Sequence, residues 1–477
     1  MERVSTGIEG LDRVLYGGFL PQKAYLIRGT PGAGKTTLGL HFLSEGARKN
    51  EPVLYITLEE PEESIRTNAV NVGIEVEGIR FLDLSPESEF FVKVETYDIF
   101  SPAEVEREPV TGRIVEEIRS LNPKRVFIDS MTQFRYLATD VFSYRKQVLS
   151  FLRFLKEQGS TVLFTSEHSP EAPDEDLQFL SDGIIDLELH PEYGPSLRVL
   201  KFRGSGYMQG LHSYRINQEG MKVFPNVVPE EGRVELKRQT LTSGIAELDE
   251  LLKGGIEEGT VTVITGPSGV GKTTLGTQFI KQAAARGETS AIYLFEENPE
   301  ILIQRCEATG THLKEMLEIG LLKIEDVEPL YYTPEEFTEH VVEDVEKRKV
   351  GTVLIDSING YKLALRGRDL TASLHALCKQ LTTRGVTVFI TNETETITGE
   401  FRPTEQGLSH IADNIIFLRY LEIKGHLKKA IGVLKKRLSD FEKTLREFEI
   451  TERGIVVGPP LTGLRGVLRG VPEFEEY

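Results

Sequence analysis

Two short stretches constrain this chain more than any other feature: GTPGAGKTT at Gly29–Thr37 and GPSGVGKTT at Gly266–Thr274. Both fit G-x-x-x-x-G-K-[ST], a loop that joins a strand to a helix and wraps phosphate. Glycines let the backbone close on an anion, and successive N–H groups then point inward toward it. The following helix adds its positive N-terminal end. The first cradle is Gly29, Thr30, Pro31, Gly32, Ala33, Gly34, Lys35, Thr36 and Thr37. The second is Gly266, Pro267, Ser268, Gly269, Val270, Gly271, Lys272, Thr273 and Thr274. Lys35 and Lys272 are expected to reach the β- and γ-phosphates of ATP, and Thr36 and Thr273 to hold Mg²⁺ through their hydroxyls. The flanks agree. KAYLIR and TVTVIT are rich in β-branched and aromatic residues, while TTLGLHFLSEGARK and TTLGTQFIKQAAAR repeat apolar residues at helical spacing.

The loops belong to a larger repeat. STGIEGLDRVLYGGFLPQKAYLIRGTPGAGKTTLGLHF aligns without a gap with TSGIAELDELLKGGIEEGTVTVITGPSGVGKTTLGTQF, at an offset of 237 residues. VLYITLEEPEESI and AIYLFEENPEILI, matched letter by letter, continue the repeat with one residue more, at an offset of 238. RVFIDSM then pairs with TVLIDSI, TVLFTSEH with TVFITNET, LSDGIIDLEL with IADNIIFLRY and VLKFRGS with VLKKRLS. A period this long means duplication of a domain rather than a solenoid. In each half, strands alternate with helices. This predicts an α/β fold: two tandem domains, each a mostly parallel sheet flanked by helices. FPNVVPEEGRVELKRQ, with prolines, glycine and dense charge, reads as the joint. The expected organisation is a first domain at 1–226, a linker at 227–239, a second domain at 240–458 and a tail at 459–477.

Composition limits the function classes. The 477 residues carry a net charge of −18, which argues against broad binding to nucleic acid. No apolar run is long enough to span a membrane, and the N-terminus lacks the apolar core of a signal peptide. Cys306 and Cys378 give neither a disulfide framework nor zinc spacing. They read as buried hydrophobes in a reducing, cytoplasmic setting.

Phosphoryl chemistry needs more than a cradle. A strand-ending Asp, as at Asp129 in KRVFIDS and Asp356 in GTVLIDS, suits the outer shell of Mg²⁺, although such residues also cap helices. Glu59 and Glu60 follow the apolar run VLYITL, and Glu296 and Glu297 follow AIYLF. Such strand ends line the ligand crevice of an open parallel sheet. Either member of each pair could orient or deprotonate water, or else cap the next helix. Lys201 and Arg203, and likewise Lys435 and Arg437, sit at i and i+2. On a strand they share one face, as charge stabilisers or as an ordinary solvated surface.

With these residues the chain resembles the KaiC family, tandem ATPases of the RecA-like fold. The resemblance covers nearly the whole chain. It rests on STGIxxLD…GG, the phosphate loop, the double glutamate, the strand-ending Asp and KFRGS. It implies a two-tiered homohexameric ring with ATP between subunits, catalytic glutamates in both tiers, and Lys201, Arg203, Lys435 and Arg437 acting on a neighbour's ATP. It also implies a nucleotide-dependent switch read by a signalling protein. The family's clock member phosphorylates itself on adjacent Ser and Thr, which match Ser409 and His410 here. Gln178 and Phe179 stand at these positions in the first half, and Leu438 replaces the glycine of KxRGS. Ser409 is therefore the single candidate phosphosite, or a plain helix-cap hydroxyl. The same residues also fit two other readings: a RecA-like nucleic-acid motor or recombinase, and a scaffold that uses ATP as ring glue.

Overall fold

The computed structural model describes residues 2–86, 88, 107–136, 141–167, 173–226, 239–365, 367–394, 408–423, 425–462, 464–465 and 473–474. Nearly all of the linker expected at 227–239 and much of the tail at 459–477 lie outside these residues. The chain divides into two compact units, Met1–Val227 and Val228–Tyr477.

In the first unit the order is α1 (Glu9–Val14), β1 (Ala24–Gly29), α2 (Lys35–Arg48), β2 (Val53–Thr57), α3 (Glu62–Asn71), β3 (Arg80–Asp83), α4 (Arg107–Leu121) and β4 (Arg125–Asp129). It continues with α5 (Gln133–Tyr136), α6 (Val141–Glu157), β5 (Thr161–Glu167), α7 (Glu175–Leu180), β6 (Gly183–His190), β7 (Gly194–Phe202), β8 (His212–Asn217) and β9 (Gly220–Phe224). The strands form one sheet in the order β3-β2-β4-β5-β1-β6-β7-β8-β9. The first six strands in that order run parallel and the last three return antiparallel. Alternation along β1 explains the layers. Tyr25 and Ile27 join a core with Leu38 and Phe42 of α2, while Ala24 and Leu26 join another with Val148 and Leu152 of α6. Each strand thus buries both faces, which is why the central strands read as unbroken apolar runs.

The second unit repeats the plan. It runs through β10 (Thr240–Leu241), α8 (Ala246–Leu251), β11 (Ile256–Glu257), β12 (Val261–Gly266), α9 (Lys272–Ala285), β13 (Ser290–Leu294), α10 (Pro299–Ala308), α11 (Leu313–Glu318), β14 (Leu322–Asp326) and α12 (Pro334–Arg348). Then come β15 (Thr352–Asp356), α13 (Ile358–Ala364), α14 (Leu370–Thr382), β16 (Thr387–Glu393), α15 (Leu408–Ile411), β17 (Asn414–Ile423), β18 (His426–Lys436), β19 (Arg446–Thr451) and β20 (Gly454–Pro460). The sheet order, β14-β13-β15-β16-β12-β17-β18-β19-β20, matches the first unit strand for strand. Local signals set the helix starts. Asn298 caps α10 ahead of Pro299, and Thr333 with Glu336 forms a capping box ahead of α12. Both units are RecA-like phosphate-loop folds.

Register corrects one sequence match. Thr57 pairs with Asp129 and Leu294 with Asp356, so residues at equivalent sheet positions here are 237 apart. Matching the two tyrosines letter by letter, Tyr55 with Tyr293, needs one residue more. A one-residue step reverses the face of a strand. Tyr55 accordingly stacks on Phe81 beside Asp129, whereas Tyr293 packs on Phe337 and bonds Asp344 of α12.

Candidate nucleotide sites

Each loop leaves its strand at a glycine and enters its helix at another. Gly34 and Gly271 hold φ of 88° and 117° just before α2 and α9. These positive φ values favour glycine, and an added Cβ would also have to displace the tips of Ile216 and Ile450, 2.5 Å away. Lys35 Nζ donates to the carbonyls of Gly29 (2.9 Å) and Thr30 (3.2 Å). Lys272 Nζ donates to Pro267 O (3.0 Å) and lies 3.7 Å from Glu393 Oε2. Burial pulls both ammonium groups below their ordinary range, opposed by nearby carboxylates.

Behind the first loop, three hydroxyls converge on Asp129. Thr36 Oγ1 donates to its Oδ2 at 2.7 Å and Tyr55 OH at 3.1 Å, while Thr165 donates to Oδ1. Burial pushes the Asp129 carboxyl upward, against these three hydrogen bonds. Asp356 receives the matching bond from Thr391. The peptide after each aspartate is cis. The serine across that bond turns to the first glutamate: Ser130 donates to Glu59, and Ser357 to Glu296 at 2.8 Å. Gln133 adds a second donor to Glu59 at 3.0 Å.

The second glutamates are held differently. Glu60 accepts from Ser64 and, at 2.8 Å, from Asn68 Nδ2. Glu297 pairs instead with Arg305 Nη2 at 2.8 Å. Burial raises the Glu297 carboxyl, with Arg305 pulling the other way. A cavity of 480 Å³ opens here, within the usual range for a small-molecule site. Its wall includes four carboxylates, Glu296, Glu297, Asp356 and Glu393, and three cations, Lys272, Arg305 and Lys429. Thr273 also lines it. Hydroxyl and carboxylate oxygens beside phosphate-loop amides suit a nucleotide with a hard divalent cation, the donor set for ATP with Mg²⁺.

The KaiC ATPase family model matches residues 4–228 and again 241–462. The chain belongs to the KaiC ATPase family. Over 99% of its length it is 30% identical to the circadian clock oscillator protein KaiC of Parasynechococcus marenigrum, covering 93% of that protein. It is likewise 30% identical to the circadian clock oscillator protein KaiC of Prochlorococcus marinus, covering 99% of this chain and 95% of that one. The family assignment supports nucleotide binding and ATPase activity for this KaiC-family chain.

Of the four paired cations singled out in the sequence, Lys435 and Arg437 stand apart from the second-unit cavity. β7 ends at Phe202 and β18 at Lys436, so Arg203 and Arg437 lie one residue beyond the strands. Lys435 and Arg437 nevertheless reach the same segment, 409–413. Lys201 Nζ donates to Gln178 O at 2.7 Å, and Lys435 Nζ to Ser409 O (2.7 Å) and Ala412 O (2.6 Å). Arg437 Nη1 bonds Asp413 at 2.9 Å. Neither Lys435 nor Arg437 lines the second cavity, and neither does half-buried Ser409 in α15. Sequence reading passed over Ser130, Ser357, Thr165, Thr391 and Glu393. All five sat inside matched strings, IDS and TVLFTSE against TVFITNE, where only the aspartates drew attention. Arg305 gave no such signal, because the repeats differ there.

Proposed function

We propose that both units bind ATP with Mg²⁺ and hydrolyse it. The carrying observation is that one polar constellation is built twice: loop lysine, strand-ending Asp under a threonine, and a glutamate held by the serine after that Asp. Thr36 and Thr273, with Asp129 and Asp356, would hold the cation, which when bound supplies positive charge against the phosphates. Lys35 and Lys272 would exchange loop carbonyls for phosphate oxygens. Glu59 and Glu296, oriented by Ser130 and Ser357, would align or deprotonate the attacking water, with Glu60 and Glu297 alongside.

Lys201, Arg203, Lys435 and Arg437 would then serve a neighbouring subunit's nucleotide in a two-tiered homohexamer. Support comes from Lys435 and Arg437 lying off their own cavity wall, and from the family. The ring would act in the cytoplasm as a switch read by a signalling partner. Among the described residues no helix is long and apolar enough to cross a membrane. Ser409 would be the one phosphate acceptor of its segment, since a phosphorylated His410 is labile.

The test combines binding and size. Lys35→Ala and Lys272→Ala should each weaken Mg-ATP binding about 10- to 100-fold at its own site, the loss of a charge-assisted contact. Mg-ATP should raise the native mass to six chains. Unchanged binding in both variants would overturn the nucleotide reading, and a monomer with and without Mg-ATP would overturn the ring.

A further inference from the structure

The two sites do not carry the same charge. The second cavity sets three cations against four carboxylates. The first unit repeats the carboxylates as Glu59, Glu60, Asp129 and Glu167, together with Lys35. The other two cations have no counterpart there. Asn68 stands where Arg305 does, on the same helix and donating to the same glutamate. The hairpin register sets Lys429 opposite Tyr420, and in the first unit sets Pro195 opposite Leu189.

We propose that Arg305 is a positioning residue peculiar to the second site, where it neutralises and holds Glu297 so that the nucleotide's triphosphate can enter. The inference rests on reading the cavity as a nucleotide site. Its physical basis is Coulomb repulsion. Glu297 is 22% exposed and Arg305 43%, so the pair forms part of the wall that a ligand meets, rather than a bond sealed in the core. Without the guanidinium, a half-desolvated carboxylate would face an incoming polyanion a few ångströms away, where the medium screens poorly. A neutral amide at residue 305 could still hydrogen-bond Glu297, as Asn68 does Glu60, but would leave its charge uncompensated. Arg305 thus acts on binding through Glu297, not on the chemical step.

The experiment uses the full chain carrying Lys35→Ala, so that the second site alone reports. Mg-ATP is the probe, with Kd, KM and kcat measured together. Arg305→Asn should raise Kd and KM about tenfold and leave kcat within about twofold, as expected for one uncompensated charge near a polyanion. Arg305→Lys should stay near the parent. Adding Glu297→Gln to Arg305→Asn should restore Kd, because the repelling charge is gone. In the reciprocal background, Lys272→Ala, the change Asn68→Arg should tighten the first site. Parental binding by Arg305→Asn would overturn the proposal. So would failure of Glu297→Gln to rescue, which would mean that Arg305 meets the nucleotide itself or merely supports the fold. A chain that binds no Mg-ATP with Lys272 intact would instead overturn the nucleotide reading on which the proposal stands.

Discussion

In the first unit, Arg3 reaches back to the turn after α1 and donates to the carbonyls of Leu15 (3.4 Å) and Gly18 (3.1 Å). In the second unit, the carbonyls at equivalent positions are Leu252 and Gly255. They accept from Lys436 at 2.7 and 2.9 Å. The cations come from opposite ends of the fold, one before α1 and one from β18. Phe202 stands where Lys436 does, and the Arg3 guanidinium lies 6.0 Å from its ring centre. A tight glycine turn leaves acceptors unpaired wherever it is built, so each unit must find a donor. What duplication repeats is the unmet hydrogen bond; the residue that meets it is free to change.

The two solutions differ in depth, and this gives the largest expected difference. The Lys436 side chain is 1% exposed and also pairs with Glu257 at 3.1 Å. Lys436→Met would take the cation from Glu257, which keeps its bond from Ser439, and the donor from two carbonyls, at a cost of about 3–5 kcal/mol. Arg3→Met opens its carbonyls to water and should cost about 1 kcal/mol. Hydrogen exchange resolved by peptide, read around α8 and around α1, separates the two. Equal losses would mean that the two cations are interchangeable after all.

Acid should distinguish the units next. His41, on α2, accepts a hydrogen bond from the Met221 N–H at 2.8 Å, which requires its neutral form. Burial drives its pKa down to about 4. A group depressed in the folded state contributes stability above its unfolded pKa, near 6.5, and that stability is lost as pH falls toward 4. The shift corresponds to about 3 kcal/mol. Gln278 holds the equivalent place on α9, donates to Ser243 O at 2.6 Å and does not titrate. Between pH 6.5 and 4, exchange protection around α2 should therefore fall more than around α9. His41→Gln should remove the excess, and a variant retaining the full difference would exclude His41 as its source.

How much of this could be read from sequence depends on what kind of fact it is. Loop, strand and helix coincide in GTPGAGKTT and GPSGVGKTT, so the α/β class followed from local chemistry alone. The antiparallel end of each sheet, β7 to β9 and β18 to β20, did not follow from motifs, because hairpins carry no phosphate-binding signal. Tyr55 and Tyr293 misled because identical letters invite alignment, while sheet position is set by pairing with Asp129 and Asp356. Arg305 and Lys436 were invisible for the opposite reason. A repeat-based reading looks for sameness, and these residues matter where the halves differ.

The tyrosines provide the smallest and most pointed test. Tyr55 OH donates to the Asp129 oxygen that also receives Thr36, whereas Tyr293 OH donates to Asp344 at 2.8 Å, on the other face of its sheet. Each phenol is a hydrogen bond to a carboxylate, so each Phe substitution removes an interaction of similar strength, about 2 kcal/mol. The consequences should still differ. Tyr55→Phe withdraws a donor from the aspartate beneath the first loop and should slow first-site ATP turnover several-fold, measured with Lys272→Ala silencing the second. Tyr293→Phe removes a tie between β13 and α12, on the sheet face away from α9. It should lower protection of the second unit and leave second-site turnover unchanged in the Lys35→Ala background. If Tyr293→Phe slowed turnover as much as Tyr55→Phe, the letter-by-letter match would describe the working sites better than the sheet register does. If neither did, Asp129 would need no phenol, and Tyr55 would contribute through the packing of its ring on Phe81 and Phe127, each at 5.0 Å.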